Sequence, residues 1–405
     1  MDTLDKLKLL GESAKYDVCA STATRGGKVK NAALGATRPA GVCHSFTPDG
    51  RCISLFKVLL SNHCEKDCAY CPNRADRDVR RARFAAEELA GLFIEFYRRN
   101  YVEGLFLSSG VFGSTSRTMG EILQVAELLR RKYRFGGYIH LKILPGATEA
   151  EISAAAALAN RVSLNIEAPS AAHLARLSLT KNYEGDILSG MNRLHKVLDG
   201  RQDVTHSTQY IVGAAGETDQ EILSSASGLY ATRNLKRAYF SAFQPVDATP
   251  LDNAAATPLV RENRLYQSDF LLRLYGFRLE DLVFADSGNL YEDLDPKLAM
   301  ALHRPDIFPL EINTAGYADL LKVPGIGPQS AAKVTAVRRR HRLYQPDELK
   351  NLGVVVKRAL SFITINGRFF GSRPLLDKPQ RPQYQQLSLW GDGHDQMLIG
   401  AGFHH

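Results

Sequence analysis

An apolar run at 53–60 leads straight into Cys64-Glu65-Lys66-Asp67-Cys68-Ala69-Tyr70-Cys71, three thiols within eight residues. The run reads as a strand that ends in a cysteine loop. Three thiolates on one short loop can hold three irons of a cubane [4Fe–4S] cluster and leave the fourth iron without a protein ligand. An open iron is a place for a small molecule to bind, so the pattern points to chemistry rather than to scaffolding. A structural zinc site is the competing reading. It needs a fourth Cys or His and usually a second Cys-x-x-Cys knuckle. His63 is available, but a His directly beside a ligating Cys is awkward to fold onto the same metal. Scattered free thiols are the remaining alternative.

The chain has 405 residues, enough for two or three domains, and 44% of them are apolar. No apolar run reaches the roughly eighteen residues of a membrane span. The start, Met1-Asp2-Thr3-Leu4-Asp5-Lys6, is acidic and lacks the apolar core of a secretory signal. Six cysteines, three of them packed together, make a poor disulfide framework and fit a reducing cytoplasm. Cys19, Cys43 and Cys52 precede the loop at irregular spacing. They either converge on an auxiliary cluster or metal, or act as small buried apolar residues.

From residue 53 strand-like and helical periods alternate. Strands are expected at 53–60, 104–109, 138–144, 161–168, 204–213 and 236–243. Helices are expected at 85–99, 120–132, 148–160, over a long stretch ending near 198, and at 218–234. Thr148 with Glu151, and Thr218 with Glu221, have capping-box spacing. Six strands joined by helices call for an α/β fold with a parallel sheet and right-handed crossovers. A short helix is expected at 4–10 within an N-terminal extension, 1–50. Residues 247–303 read as a helical connector.

Charge is uneven. Between His303 and Arg381 fourteen Lys and Arg face six Asp and Glu, a local +8 that equals the whole-chain excess. A basic module suggests a polyanionic partner, against the alternative of a solvated basic face. At its centre lies Leu321-Lys322-Val323-Pro324-Gly325-Ile326-Gly327-Pro328-Gln329-Ser330-Ala331-Ala332-Lys333. A short helix precedes the glycine pair and a longer one follows. Gly325 and Gly327 let backbone approach a phosphate, amides of the next helix donate to it, and Lys333 adds charge. Such contacts position a nucleic acid without reading its bases. Residues 346–359 look like a degenerate second copy. After Gly371 the chain turns polar and reads as a mobile tail, 372–405.

The cysteine spacing, with Tyr70 before the last thiol, resembles the signature of the radical S-adenosylmethionine (SAM) superfamily. That resemblance implies a partial six-strand (β/α) barrel over 51–246, a [4Fe–4S] cluster on Cys64, Cys68 and Cys71, and SAM on the open iron. It implies reductive cleavage of SAM to a 5′-deoxyadenosyl radical. In such barrels the chemistry sits at the C-terminal strand ends. Ser108-Ser109-Gly110 stands where the superfamily often has Gly-Gly-Glu, so the carboxylate that holds the SAM amino group is missing. Tyr70, Asn165 and Glu167 are further expected cofactor contacts. Ile211-Val212-Gly213-Ala214-Ala215-Gly216-Glu217-Thr218 resembles the Gly-x-Pro-Gly-Glu-Thr turn, with Ala215 for Pro, and puts Ile211 and Gly213 behind the adenine. Residues 247–303 are then expected to cover the open side of the barrel.

The glycine-pair segment resembles the helix-hairpin-helix of DNA repair proteins, which implies an all-α nucleic-acid-binding domain over 304–371. Together the two resemble the family of DNA modification or repair radical SAM proteins, associated with a partner similar to uracil-DNA glycosylases. The implied substrate is a nucleotide in DNA, flipped or single-stranded. Modification of RNA, such as tRNA, is the alternative reaction, and a non-catalytic iron–sulfur DNA-binding protein the alternative class. In the tail, Gln386-Leu387-Ser388-Leu389-Trp390 resembles the short motif that docks bacterial repair proteins on the sliding clamp, with Trp390 for the usual Phe.

Overall fold

The computed structural model describes residues 1–14, 42–46 and 52–372. Helix α1 (Thr3–Ser13) starts on an Asp2 cap, and Lys6 and Thr3 fasten it to Glu88 at 2.7 and 2.8 Å. Strand β1 (Val42–Phe46) runs antiparallel to β2 (Cys52–Leu59), an edge strand that the sequence pattern does not announce. The chain then alternates: α2 (Ala86–Arg98), β3 (Gly104–Ser108), α3 (Thr115–Glu127), β4 (Tyr138–Lys142), α4 (Glu149–Leu158) and β5 (Arg161–Ser163). It continues with α5 (Ala171–Leu177), α6 (Ser189–Leu198), β6 (Thr205–Val212), α7 (Asp219–Arg233) and β7 (Arg237–Ala242). Strands β2 to β7 are parallel and in chain order. The expected six-strand half-barrel is therefore present, with one extra strand on its first edge. Both capping boxes form, at Thr148 with Glu151 and at Thr218 with Glu221. Among the described residues no helix is long and apolar enough to cross a membrane.

Two expectations for the barrel need correction. The fifth strand stops at Ser163 rather than at 168. Thr208 explains it: its hydroxyl accepts from Ile166 N at 2.9 Å and donates to Leu164 O at 2.7 Å, taking the place of the backbone ladder. The chain then turns through Glu167, whose φ is 68°. The long helix expected up to 198 is interrupted. Between α5 and the turn that leads into α6, residues 178–182 leave the helix to meet the cysteine loop.

The last strand has a free edge, and free edges pair with other chains unless blocked. Its outward amides are taken one by one. Ala238 N donates to Tyr230 Oη at 2.9 Å, Phe240 N to Tyr266 Oη at 3.0 Å and Ala242 N to Glu262 Oε2 at 2.8 Å. Tyr266 and Glu262 lie on α8 (Leu259–Leu274), so the connector does cover this side of the barrel. Helix α9 (Pro296–His303) follows.

The C-terminal module has its own core, with Ile312, Leu320, Val323, Ile326, Val334, Leu349 and Ile363 buried. It consists of β8 (Leu310–Glu311), α10 (Tyr317–Leu320), α11 (Pro328–Val337), α12 (Pro346–Asn351), α13 (Val356–Ala359), β9 (Ile363–Ile365) and β10 (Arg368–Phe369). It is not all-α: three short strands close it. Glu311 gathers them, accepting from Asn366 N at 2.9 Å, Gly367 N at 2.8 Å and the Thr364 hydroxyl at 2.9 Å. The two helical hairpins lock reciprocally. Val355 N donates to Gly325 O at 2.9 Å, and the Ser330 hydroxyl donates to Gly353 O at 2.7 Å.

His206, on β6, is 3% exposed, and neither ring nitrogen has a hydrogen-bond partner. Burial first, and repulsion from His195 second, lower its pKa to about 4. The unfolded chain takes up this proton near pH 6.5, so stability falls as pH drops from there towards 4, by roughly 3 kcal/mol for this group. Denaturant titrations of the His206→Leu protein at neutral pH and near pH 4.5 should show a smaller acid loss than the wild type. An unchanged loss contradicts the assignment.

Candidate functional site: the cysteine loop and its neighbours

The cysteine loop leaves the C-terminal end of β2 and is pinned to the end of β3. Leu60 N donates to Ser108 O, Gly110 N to Ser61 O and Glu65 N to Val111 O, each at 2.8 Å. Gly110 lies so close under the loop that a β-carbon there would stand 2.2 Å from His63 O. The absence of a side chain at Gly110 is thus what seats the loop. Ser108 and Ser109 are buried beside it, and the Ser109 hydroxyl donates to Gly110 O at 2.8 Å.

The other side of the loop is held by one carboxylate. Asp67 accepts from Leu179 N at 3.0 Å, Thr180 N at 3.3 Å, and the hydroxyls of Ser178 and Thr180. Lys66 Nζ donates to Thr180 O at 3.2 Å, and Ala69 N to Leu177 O at 2.7 Å. Burial disfavours the Asp67 charge, but these hydrogen bonds outweigh it and hold its carboxyl well below the usual range. This clasp carries the next residue, Lys181, into the site. Lys181 Nζ lies 3.2 Å from Glu167 Oε1, with both side chains at least nine-tenths buried, and its charge bears on the Cys68 thiol.

Cys68 is buried, while Cys64 and Cys71 are partly exposed. Burial and the neighbouring sulfur of Cys68 push the Cys71 thiol up to about 12. Burial also raises Cys68, with Lys181 pulling the other way. Tyr70 packs against the same group. Burial first and the Glu167 charge second push its phenol well above the usual range. The structure therefore brings together Cys64, Cys68, Cys71, Tyr70, Glu167 and Lys181. Ile211 joins them through its amide, which donates to Glu167 O at 2.8 Å, and Asn165 is buried two residues before Glu167.

Gly213 has a packing role that its spacing does not show. Its φ is 86°, and a β-carbon there would lie 2.1 Å from the Thr257 hydroxyl. Its smallness serves the packing of this turn against the connector. Glu217 folds back on the turn, accepting from Gly213 N and, at 3.0 Å, from Ala215 N. Arg261 holds Glu217 O and Asp219, both at 2.7 Å.

Sequence reasoning missed Asp67 and Lys181. An acid inside the cysteine loop was visible, but its partner lies more than a hundred residues on, where the pattern reads as helix. Cys52 is exposed on β2. Cys19 and the side chain of Cys43 lie outside the described residues, as does the Gln386–Trp390 segment.

A cluster fits these residues. The second oxygen of Glu167 is buried without a hydrogen-bond partner, an acceptor available to a bound amine or hydroxyl. Among the described residues no three His, Cys, Asp or Glu side chains gather around one point as ligands of a single metal ion would. Each cysteine of a cubane takes its own iron, so its ligand sulfurs need not converge in that way.

Residues 58–227 match the family model described as the radical SAM superfamily. They are a radical SAM domain. Domains of this family bind a [4Fe–4S] cluster and SAM, and the matched stretch contains the three-thiol loop. No match was found among curated proteins. Among solved structures the chain is similar to HydG, a maturase of the [FeFe]-hydrogenase, at 14% identity and a TM-score of 0.43 over 53% of this chain. The match takes in 48% of the HydG chain, about half its length. It is also similar to methylornithine synthase (PylB), at 14% identity and TM-score 0.42, over 59% of this chain and 71% of that one. A radical SAM methyltransferase from Sphaerobacter thermophilus is similar at 16% identity and TM-score 0.42, over 57% and 71%.

Gly110→Ala tests the seating of the radical SAM loop. The new methyl meets backbone, which cannot swing aside, so we expect a stability loss of about 3 kcal/mol, the upper end for over-packing. Iron retained after anaerobic reconstitution should fall sharply. Wild-type unfolding and iron content would contradict this geometry.

Proposed function

We propose that the protein is a radical SAM enzyme that modifies or repairs a nucleotide in DNA. The observation that carries the reading is the pairing, in one chain, of the cysteine loop with a basic double-hairpin module. When bound, the cluster and SAM supply reductive cleavage to a 5′-deoxyadenosyl radical that abstracts a substrate hydrogen. Cys64, Cys68 and Cys71 hold the cluster. Tyr70, Asn165, Glu167 and Ile211 line the place for SAM, and Ser108 and Ser109 flank it on the β3 side.

The helical module supports a nucleic-acid substrate as a helix-hairpin-helix pair. Gly327 caps α11 with no side-chain hydrogen bond and Pro328 carries no N–H, so the amides of Gln329 and Ser330 are the ones open to an outside acceptor. Lys333, Arg339, Arg340, Arg342, Lys350 and Lys357 are exposed. Gly325 serves the packing of the two hairpins. Its φ is 86°, and a β-carbon would stand 2.6 Å from Val355 O. A bulky residue at Gly325 would separate the hairpins, so it does not test phosphate contact. Lys333 does. The same reading includes a partner similar to uracil-DNA glycosylases and docking of the Gln386–Trp390 segment on a sliding clamp.

The test uses the full chain, reconstituted anaerobically. With dithionite it should give a [4Fe–4S] EPR signal that SAM perturbs, and Cys64→Ser, Cys68→Ser or Cys71→Ser should abolish it. Duplex DNA should bind with little sequence preference and a steep loss with salt. Lys333→Glu should weaken binding and reduce the salt slope by about one. Incubation with SAM, dithionite and DNA should yield a new nucleoside by mass spectrometry. Binding and turnover on RNA but not on DNA would move the reading to RNA modification. A cluster without SAM cleavage would remove the enzyme reading.

A further inference from the structure

The six parallel strands, β2 to β7, contain Lys57, Lys142, Arg161 and Arg237 and no Asp or Glu. Their register sets these cations in two adjacent rows across the sheet. Lys57, Phe106, His140, Arg161 and Thr205 make one row, and Lys142, Ser163, Ser207 and Arg237 the next. Side chains alternate between the faces of a strand. Leu107, Leu141, Val162 and Ala238, which alternate with these rows, are packed in the main core. Tyr210, of the same alternate set, reaches Ser225 on α7 at 2.8 Å. The two rows therefore face the inside of the half-barrel.

Tyr239 brings two of the cations together. Arg161, 8% exposed, donates to the hydroxyl of Tyr239 at 3.1 Å and to that of Thr205 at 3.2 Å. The guanidinium of Arg237 lies 5.1 Å from the centre of the Tyr239 ring and 5.8 Å from that of Phe270 on α8. Nε and Nη2 of Arg237 are buried without a hydrogen-bond partner. So is the hydroxyl of Ser207, which is 1% exposed and pairs directly with Arg237 in the register. No carboxylate among the described residues pairs with either arginine; hydroxyls and rings are what they meet. A guanidinium cannot shed its charge, so its burial is costly until an anion meets it.

We propose that the starts of β5, β6 and β7 form a phosphate site on the inner face of the half-barrel, with Arg161, Arg237 and Ser207 as its donors. Two guanidinium forks and a hydroxyl, brought from three strands, suit a tetrahedral anion with oxygens in several directions better than a flat carboxylate. Ile211 lies four residues further along β6 than Ser207, about 13 Å at the rise of a parallel strand. A ligand seated here by its phosphate therefore extends towards the cysteine loop at the C-terminal strand ends. The site needs neither the cluster nor the double hairpin, and it adds a phosphorylated ligand to the radical SAM reading.

The experiment is a calorimetric titration of the full chain with inorganic phosphate at constant ionic strength, with acetate as the second arm. Wild type should bind phosphate saturably and acetate more weakly. Arg237→Gln should weaken phosphate about tenfold, and Ser207→Ala about threefold. In phosphate-free buffer Arg237→Gln should unfold at no lower a temperature than wild type, because it removes a charge that nothing compensates. Ser207→Ala removes only a hydroxyl and carries the test alone if the arginine variant does not fold.

No saturable phosphate binding by wild type overturns the proposal, as does a loss below about twofold in both variants. An affinity that falls in Lys333→Glu and not in Arg237→Gln places the phosphate on the hairpin module and also overturns it. Acetate bound as tightly as phosphate contradicts the ligand class. An Arg237→Gln protein that is less stable without phosphate, yet binds it as wild type does, makes Arg237 a packing residue, again against the proposal.

Discussion

The site depends on the carboxylate of Asp67. A cysteine loop that is to carry a cluster cannot be held in place by its thiols, because they are reserved for the iron. Its rigidity has to come from outside the thiols. Here it comes from two sides, the bare backbone of Gly110 beneath and the Asp67 clasp beside. The clasp also explains why the long helical stretch breaks. Residues 178–182 give up helical hydrogen bonds, and the first three of them receive those of Asp67 in return. The break delivers Lys181 to Glu167, so one interaction sets both the shape and the charge of the site.

The half-barrel around it leaves an open sheet with two edges, and each is blocked differently. The first is covered by an antiparallel strand. The last is closed by side chains, with Tyr230, Tyr266 and Glu262 accepting the outward amides of β7. Two of these three come from α8, so the connector belongs to the fold and is not a spacer. Its contact with the turn at Gly213 carries the same logic to the site, since Thr257 occupies the space that a side chain at Gly213 would need.

Much of this was legible in the sequence. The six parallel strands, the two capping boxes and the strand running into the cysteine loop all follow from local patterns of period, caps and turn residues. What was not legible depends on distant pairings. The early end of β5 requires Thr208, a residue of the next strand. The interruption before α6 requires Asp67, far upstream. The roles of Gly110, Gly213 and Gly325 require knowing which backbone or side chain lies against each. Their glycine identity was visible, but not the backbone or side chain that packs against each. The short sheet around Glu311 was missed because strands of two or three residues carry no period.

The central claim is that Cys64, Cys68 and Cys71 are together the protein ligands of one cluster. Anomalous diffraction at the iron edge from anaerobically reconstituted crystals tests it most directly. One compact iron peak bonded to these three sulfurs is expected, with one iron free of protein ligands. A single tetrahedral ion that includes His63, or no iron at this loop, would contradict it.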